Sequence, residues 1–245
     1  MLNDKRTGSK NRPVCFIKQN GMGYYIDLSK ITIDNYKTKL VLAYLPPSRM
    51  ILKERPEERF GYFKSIGIKN VDELIRILKK KDKFTELHKV ECLSGNYLTI
   101  LLRELNSILP KPNKISEFTG ISKDTVARLE KAGIKNTAKL YERIITFESR
   151  KELAKTTGIT DTEILELTKL TDLSRIKWVG ANFARMLYDV GVDTVEKASG
   201  SDPVDLHMRI NQINKEKRFY KGQIGLNDIR IFIDAAKEVP LEIEY

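Results

Sequence analysis

The chain reads as an all-α protein, with tandem helical hairpins stacked into one elongated array, and three observations predict it. In FTGISKDTVARLEKAGIKNTAKL, residues 118–140, glycines and apolar residues fall at the spacing of two short helices joined by tight turns. Related spacing returns from Ile176 to Thr194 and, more faintly, from Arg55 to Leu74. Elsewhere apolar stripes of helical period are punctuated by Pro and Gly, and the one candidate extended piece, YYIDL at 24–28, has no obvious pairing partner.

Composition narrows the class of function. With 245 residues and 41% hydrophobic content the chain can build one or two ordinary cores. No apolar run approaches the length that spans a bilayer, and MLNDKRTGSKNRP lacks the apolar centre of a signal peptide, so a cytoplasmic protein without a membrane partner is expected. Cys15 and Cys92 are the only cysteines, which makes a disulfide framework improbable. His88 and His207 are the only histidines, and neither has a metal-ligand or nucleophile partner at suggestive spacing. No phosphate-binding loop or dinucleotide fingerprint is present. The reading is therefore not an enzyme: no catalytic residues, no metal and no cofactor are expected.

The formal charge of +11 is unevenly placed. Residues 1–21 hold five Lys/Arg against one acid, and residues 22–114 hold eighteen against eleven. From 115 onward cations and acids balance. A basic excess confined to the first half points to a polyanion-facing end.

Residues 1–21 read as a basic tail. Patterned sequence begins directly at MGYYIDL, which points to Met22 as the native start and to residues 1–21 as an addition. Thr32 is placed to cap a helix carrying Ile33, Tyr36, Leu40 and Ala43, stopped by Pro46 and Pro47. Pro56 suits a helical first turn, Phe60 and Phe63 face inward, Gly67 ends that helix, and Val71, Leu74, Ile75 and Leu78 form the next stripe. Tyr97, Leu98, Leu101, Leu102 and Leu105 form another before Pro110 and Pro112. Thr160 with Glu163 three residues later signals a capped helix. Ile68 and Leu93 stand twenty-five residues apart, as do Ile134 and Ile159, whereas Val192 and Leu226 stand thirty-four apart. These intervals predict units of roughly sixty residues with two hairpins each. The expected divisions are 22–112, 113–172 and 173–245, the last with an insertion near 201–222.

The pattern Gly120, Ile121, Ser122, Val126, Leu129, Gly133, Ile134, Thr137 and Leu140 resembles the helix-hairpin-helix repeat. That resemblance implies contact with a nucleic-acid backbone, because the start of the second helix presents free N–H groups and a partial positive charge to phosphate. The residues expected to do so are Gly120, Ser122 and Lys123 at one turn, and Lys177 and Gly180 at the other. Each turn carries one glycine where the DNA-binding form shows two. A second surface is IRILKKKDK, in which Arg76, Lys79, Lys80 and Lys83 share one face if the helix persists that far.

Residues 22–245 as a whole resemble a bacterial family of unknown function built from helix-hairpin-helix-like repeats. The resemblance is carried by LPPSRMILKE, KPNKISEFTGI, LEKAGIKNT, SRKELAKTTGI, LTKLTDLSRIKWVG and IGLNDIRIF. It implies a fold and no particular activity. The expected function is sequence-independent nucleic-acid binding, DNA before RNA. The alternative is a protein-interaction scaffold that uses the same helical repeats, with the apolar or aromatic surface near Trp178 and the inserted segment meeting another protein.

Overall fold

A computed structural model describes residues 23–245; the basic tail, Cys15 and the expected start at Met22 lie outside the described residues. The described residues are all-α, with thirteen α-helices and three 3-10 segments. Helix α1 spans Ile33–Leu42 and is capped by Thr32, whose hydroxyl accepts from the Asn35 N–H. The piece YYIDL forms bends leading into a 3-10 turn at Leu28–Lys30, not a strand. None of the described helices is long and apolar enough to cross a membrane.

Twelve further helices follow in three sets of four. The first set is α2 (Pro56–Ser65), α3 (Val71–Lys79), α4 (Lys81–His88) and α5 (Gly95–Asn106). The second is α6 (Lys123–Lys131), α7 (Thr137–Tyr141), α8 (Phe147–Thr157) and α9 (Asp161–Leu173). The third is α10 (Ala181–Asp189), α11 (Val195–Ser199), α12 (Pro203–Lys217) and α13 (Leu226–Ala236). In each set the second and third helices both pack on the fourth. The expected insertion near 201–222 is mostly the fifteen-residue helix α12.

The first helix of each set ends in the same way. Its C-terminal carbonyls are satisfied by two amides that follow it: Ile68 donates to Phe63 O, Ile134 to Leu129 O and Val192 to Leu187 O. In each case the glycine just before takes positive φ, and its own N–H bonds to the carbonyl three residues back. The apolar residues on both sides of these bonds are buried, so the reversal is locked by packing as well as by hydrogen bonds. An Asn or Thr side chain then caps the next helix: Asn70 accepts from Glu73 N, Asn136 from Lys139 N and Thr194 from Lys197 N.

The start of each second helix is also held from outside its own set. Val71 N donates to Ile31 O, and Thr137 N donates to Asn113 O, each beside an isolated antiparallel bridge. In the third set the acceptor is a side chain, the buried Asp172 carboxylate, which takes the Val195 N–H at 2.9 Å. Arg175 and the Tyr245 hydroxyl complete the shell of that carboxylate. The acidic ending VPLEIEY therefore turns back onto the middle set, where Glu242 meets Tyr141 and Arg175, and Glu244 N donates to Ile145 O.

Three hydrophobic clusters match the three sets. One runs from Leu28 to Leu105, one from Ile115 to Leu167, and one joins Phe118 to residues 170–239. Helix α9 serves two of them, with Ile164 and Leu167 in the middle core and Leu170 and Leu173 in the last. The expected division between 172 and 173 thus falls inside a helix that both cores share. The expected elongated array also has to accommodate contacts between helices α1 to α5 and the region of the third set. Lys39 of α1 pairs with Glu238 beyond α13, and Lys177 pairs with Glu104 of α5.

Two glycines test the backbone argument with opposite signs. Gly133 sits at φ +80° in open space, so Gly133→Ala meets no clash yet is expected to cost about 1–2 kcal/mol in conformational strain. Gly61 lies exposed inside α2, also in open space, and Gly61→Ala is expected to add about 0.5–1 kcal/mol. Thermal melts of the two variants should move in opposite directions.

Burial, the largest cause in each case, lifts the hydroxyls of Tyr24, Tyr36, Tyr97, Tyr141 and Tyr245 above the usual phenol range. Below about pH 10 both folded and unfolded chains keep these protons, and stability is intact. Above it the unfolded chain releases protons that the folded one retains, so stability falls as pH rises. Phenolate absorbance from these side chains should therefore grow in step with loss of helical circular dichroism.

Candidate functional site

The two hairpin turns occupy the same place in their sets but differ in what surrounds them. At the first, Gly120 takes φ +92° two residues before Ser122, the cap of α6. The Ser122 hydroxyl accepts from Thr125 N at 3.0 Å and lies 2.8 Å from the Thr125 hydroxyl, which in turn donates to Glu163 at 2.8 Å. Hydrogen bonds from Thr125 and Thr160 hold the Glu163 carboxyl below the usual carboxylate range. A carboxylate thus already stands at the start of α6. From the other side the buried Arg185, paired with Glu166, reaches within 3.4 Å of where a side chain at Gly120 would begin. The expected phosphate contact by Gly120 and Ser122 meets polar groups that are satisfied internally and a negative charge beside them. Lys123 remains exposed on the first turn of α6.

At the second turn Trp178 stands where the first has Gly120, and it takes φ +68°. A bulky L-residue in this region costs about 1–3 kcal/mol, which the surroundings must offset. Its ring has the Lys177 ammonium 4.1 Å and the Arg49 guanidinium 5.4 Å from its centroid. Gly180 caps α10 with no side-chain bond, so the first amides of α10 lack that partner. Lys177, expected to meet phosphate at this turn, is bound to Glu104, and Arg49 binds the same carboxylate. Desolvation lowers the Lys177 pKa, partly offset by Glu104.

The basic stretch bends. Helix α3 ends at Lys79, and Lys80 takes an extended conformation (φ −84°, ψ 119°) before α4 begins. Arg76 and Lys79 therefore lie on one helix and Lys83 on the next, so the single helical face expected from the spacing becomes a corner. Arg76 pairs with Asp72 and Lys83 with Glu86, whereas Lys79, Lys80 and Lys81 stand exposed.

Sequence reasoning missed Arg49, Glu104 and Tyr36, which the fold gathers beside Trp178. Glu104 is 4% exposed on α5, among Tyr97, Leu98, Leu101 and Leu105. A carboxylate on an otherwise apolar helical stripe was the available signal, because a buried acid needs a cation. Its partners come from the 3-10 segment Pro47–Lys53 and from the loop after α9, which no local pattern connects.

Residues 119–239 match the family model of a domain of unknown function, DUF4332. No curated protein and no solved structure matches the chain. The DUF4332-like stretch holds both hairpin turns and helices α6 to α13, while Arg49, Glu104 and the basic corner precede it. The Glu104 contact therefore joins the matched stretch to the helices before it.

Removing the shared carboxylate leaves two partly buried cations facing each other. Glu104→Ala is expected to cost about 3–5 kcal/mol, and Lys177→Met less, because Arg49 still meets Glu104. Urea denaturation of both variants measures the order; an exposed control, Glu86→Ala, should stay within about 1 kcal/mol of the parent.

Proposed function

We propose that this is a non-enzymatic, cytoplasmic binding protein of a bacterial family, built from three helix-hairpin-helix-like units, that holds nucleic acid by its backbone without reading sequence. The observation that carries the proposal is the exposed corner Lys79, Lys80 and Lys81, flanked by Arg76 and Lys83, in the half of the chain with the basic excess. Three recurring glycine-reversed, side-chain-capped corners support the hairpin reading. The α10 start, without a side-chain cap at Gly180, adds a second set of donors of the kind that phosphates accept. The Gly120 turn takes no part in this binding, since Glu163 and Arg185 already occupy its surroundings. DNA is the leading ligand, ahead of RNA.

A protein-interaction scaffold is the second reading, favoured by Leu42, Tyr44, Met50 and Trp178, large apolar or aromatic side chains exposed in the α1 and Trp178 region. Binding of the full chain to labelled single- and double-stranded DNA and RNA across a salt series separates the two. The nucleic-acid reading expects affinity that falls steeply with salt. The triple variant Lys79→Gln, Lys80→Gln, Lys81→Gln should lower the slope of log affinity against log salt by about 3 on duplex DNA. Absence of binding at low salt, or a slope unchanged in the variant, overturns the assignment to this corner.

A further inference from the structure

The described chain begins beside an apolar cleft. Ile26, three residues after the first described residue, lines a space of about 370 Å³ between α1 and α13, walled by Leu40, Ala43, Ile108, Ala235 and Val239. Leu42, Tyr44 and Trp178 line it too while 79%, 54% and 46% exposed, so apolar surface continues outward from the cleft. Tyr36 is also in the lining; the residue is 7% exposed, and its hydroxyl has no hydrogen-bond partner among the described residues. Such a buried donor calls for an acceptor, which a hydrocarbon lacks and a peptide backbone carries.

The charged lining is acidic in balance: Glu104, Asp234 and Glu238 against Lys39 and Lys177. Asp234 and Glu238 stand in exposed pairs with Lys237 and Lys39, which incoming cations can share. An occupant with apolar side chains, backbone carbonyls and positive charge therefore complements the cleft. The sequence before Gly23 holds one such segment. In KNRPVCFIK, residues 10–18, the apolar run VCFI at 14–17 lies between Lys10, Arg12 and Lys18, with no acid among them. Nine residues of chain separate Ile17 from Ile26, a reach of up to about 30 Å, enough for the segment to turn back into the cleft.

We propose that residues 14–17 dock, within the same molecule, in the cleft between α1 and α13, with Phe16 as the anchor and the flanking cations at the acidic rim. Docking removes exposed apolar wall from water and covers Leu42, Tyr44 and Trp178. The chain's own N-terminal segment thus competes with any protein partner for that surface. None of Lys79, Lys80 and Lys81 lines the cleft, so this contact stands or falls independently of nucleic-acid binding.

The test uses the full chain and its own Cys15, since the other cysteine, Cys92, is buried. Ala43→Cys and, from the opposite wall, Ala235→Cys are oxidised mildly in dilute protein, and disulfides to Cys15 are mapped by mass spectrometry. Each is expected to form at least fivefold faster than with Lys155→Cys, which is exposed on α8 and outside the cleft. Phe16→Asp should bring both rates down to that of Lys155→Cys with helical circular dichroism unchanged, and Phe16→Leu should keep them high. Trp178 is the one tryptophan in the sequence, and its quenching by acrylamide should rise at least twofold in Phe16→Asp. Rates no higher than with Lys155→Cys, quenching unmoved by Phe16→Asp, disulfides formed between two copies alone, or a native protein whose intact mass places its start at Met22 overturns the proposal.

Discussion

The reversal after the first helix of each set is the constraint on which the remainder depends. A helix that stops must satisfy its last carbonyls, and here the amides of Ile68, Ile134 and Val192 do so while burying their own side chains. One local geometry therefore settles hydrogen bonding, chain direction and core entry together. The Asn or Thr cap three residues after the glycine then fixes where the next helix starts.

From those corners the rest of the packing follows by contact between sets. Val71 and Thr137 donate to carbonyls of the chain that precedes their sets, and Val195 donates to the buried Asp172. The third substitution carries a cost in charge burial, met by Arg175 and Tyr245, and so the C-terminal residues are drawn onto the middle set. The Tyr24 hydroxyl, at Thr137 Oγ1 and Ser174 O, ties the start of the described chain to the same region. Helix α9, shared by two cores, makes the middle and last sets mechanically continuous.

The same tertiary contacts decide which surfaces are left for ligands. At the Gly120 turn a neighbouring helix supplies Glu163, and another supplies Arg185, so the turn is used for internal packing. At the Trp178 turn the equivalent position carries a strained aromatic whose cations are tied to Glu104. At the corner between α3 and α4, by contrast, Lys79, Lys80 and Lys81 stand exposed. Similar local sequence thus gives two turns with different electrostatic character.

The helices themselves were legible without coordinates. Caps at Thr32 and Thr160, the stops at Gly67 and Gly133, and the apolar stripes of α3 and α5 depend on residues within a few positions of each other, where propensity and periodicity act directly. The bend at Lys80 was not, because an unbroken run of Lys residues carries no stop signal, and the direction of α4 is set by its packing on α3 and α5. Nor was the state of Lys177, whose place beside the Gly180 turn suggested contact with phosphate. Its ammonium is claimed by Glu104, seventy-three residues earlier in the chain. Helix ends are settled by neighbours in sequence; the availability of a charge is settled by whatever the fold buries beside it.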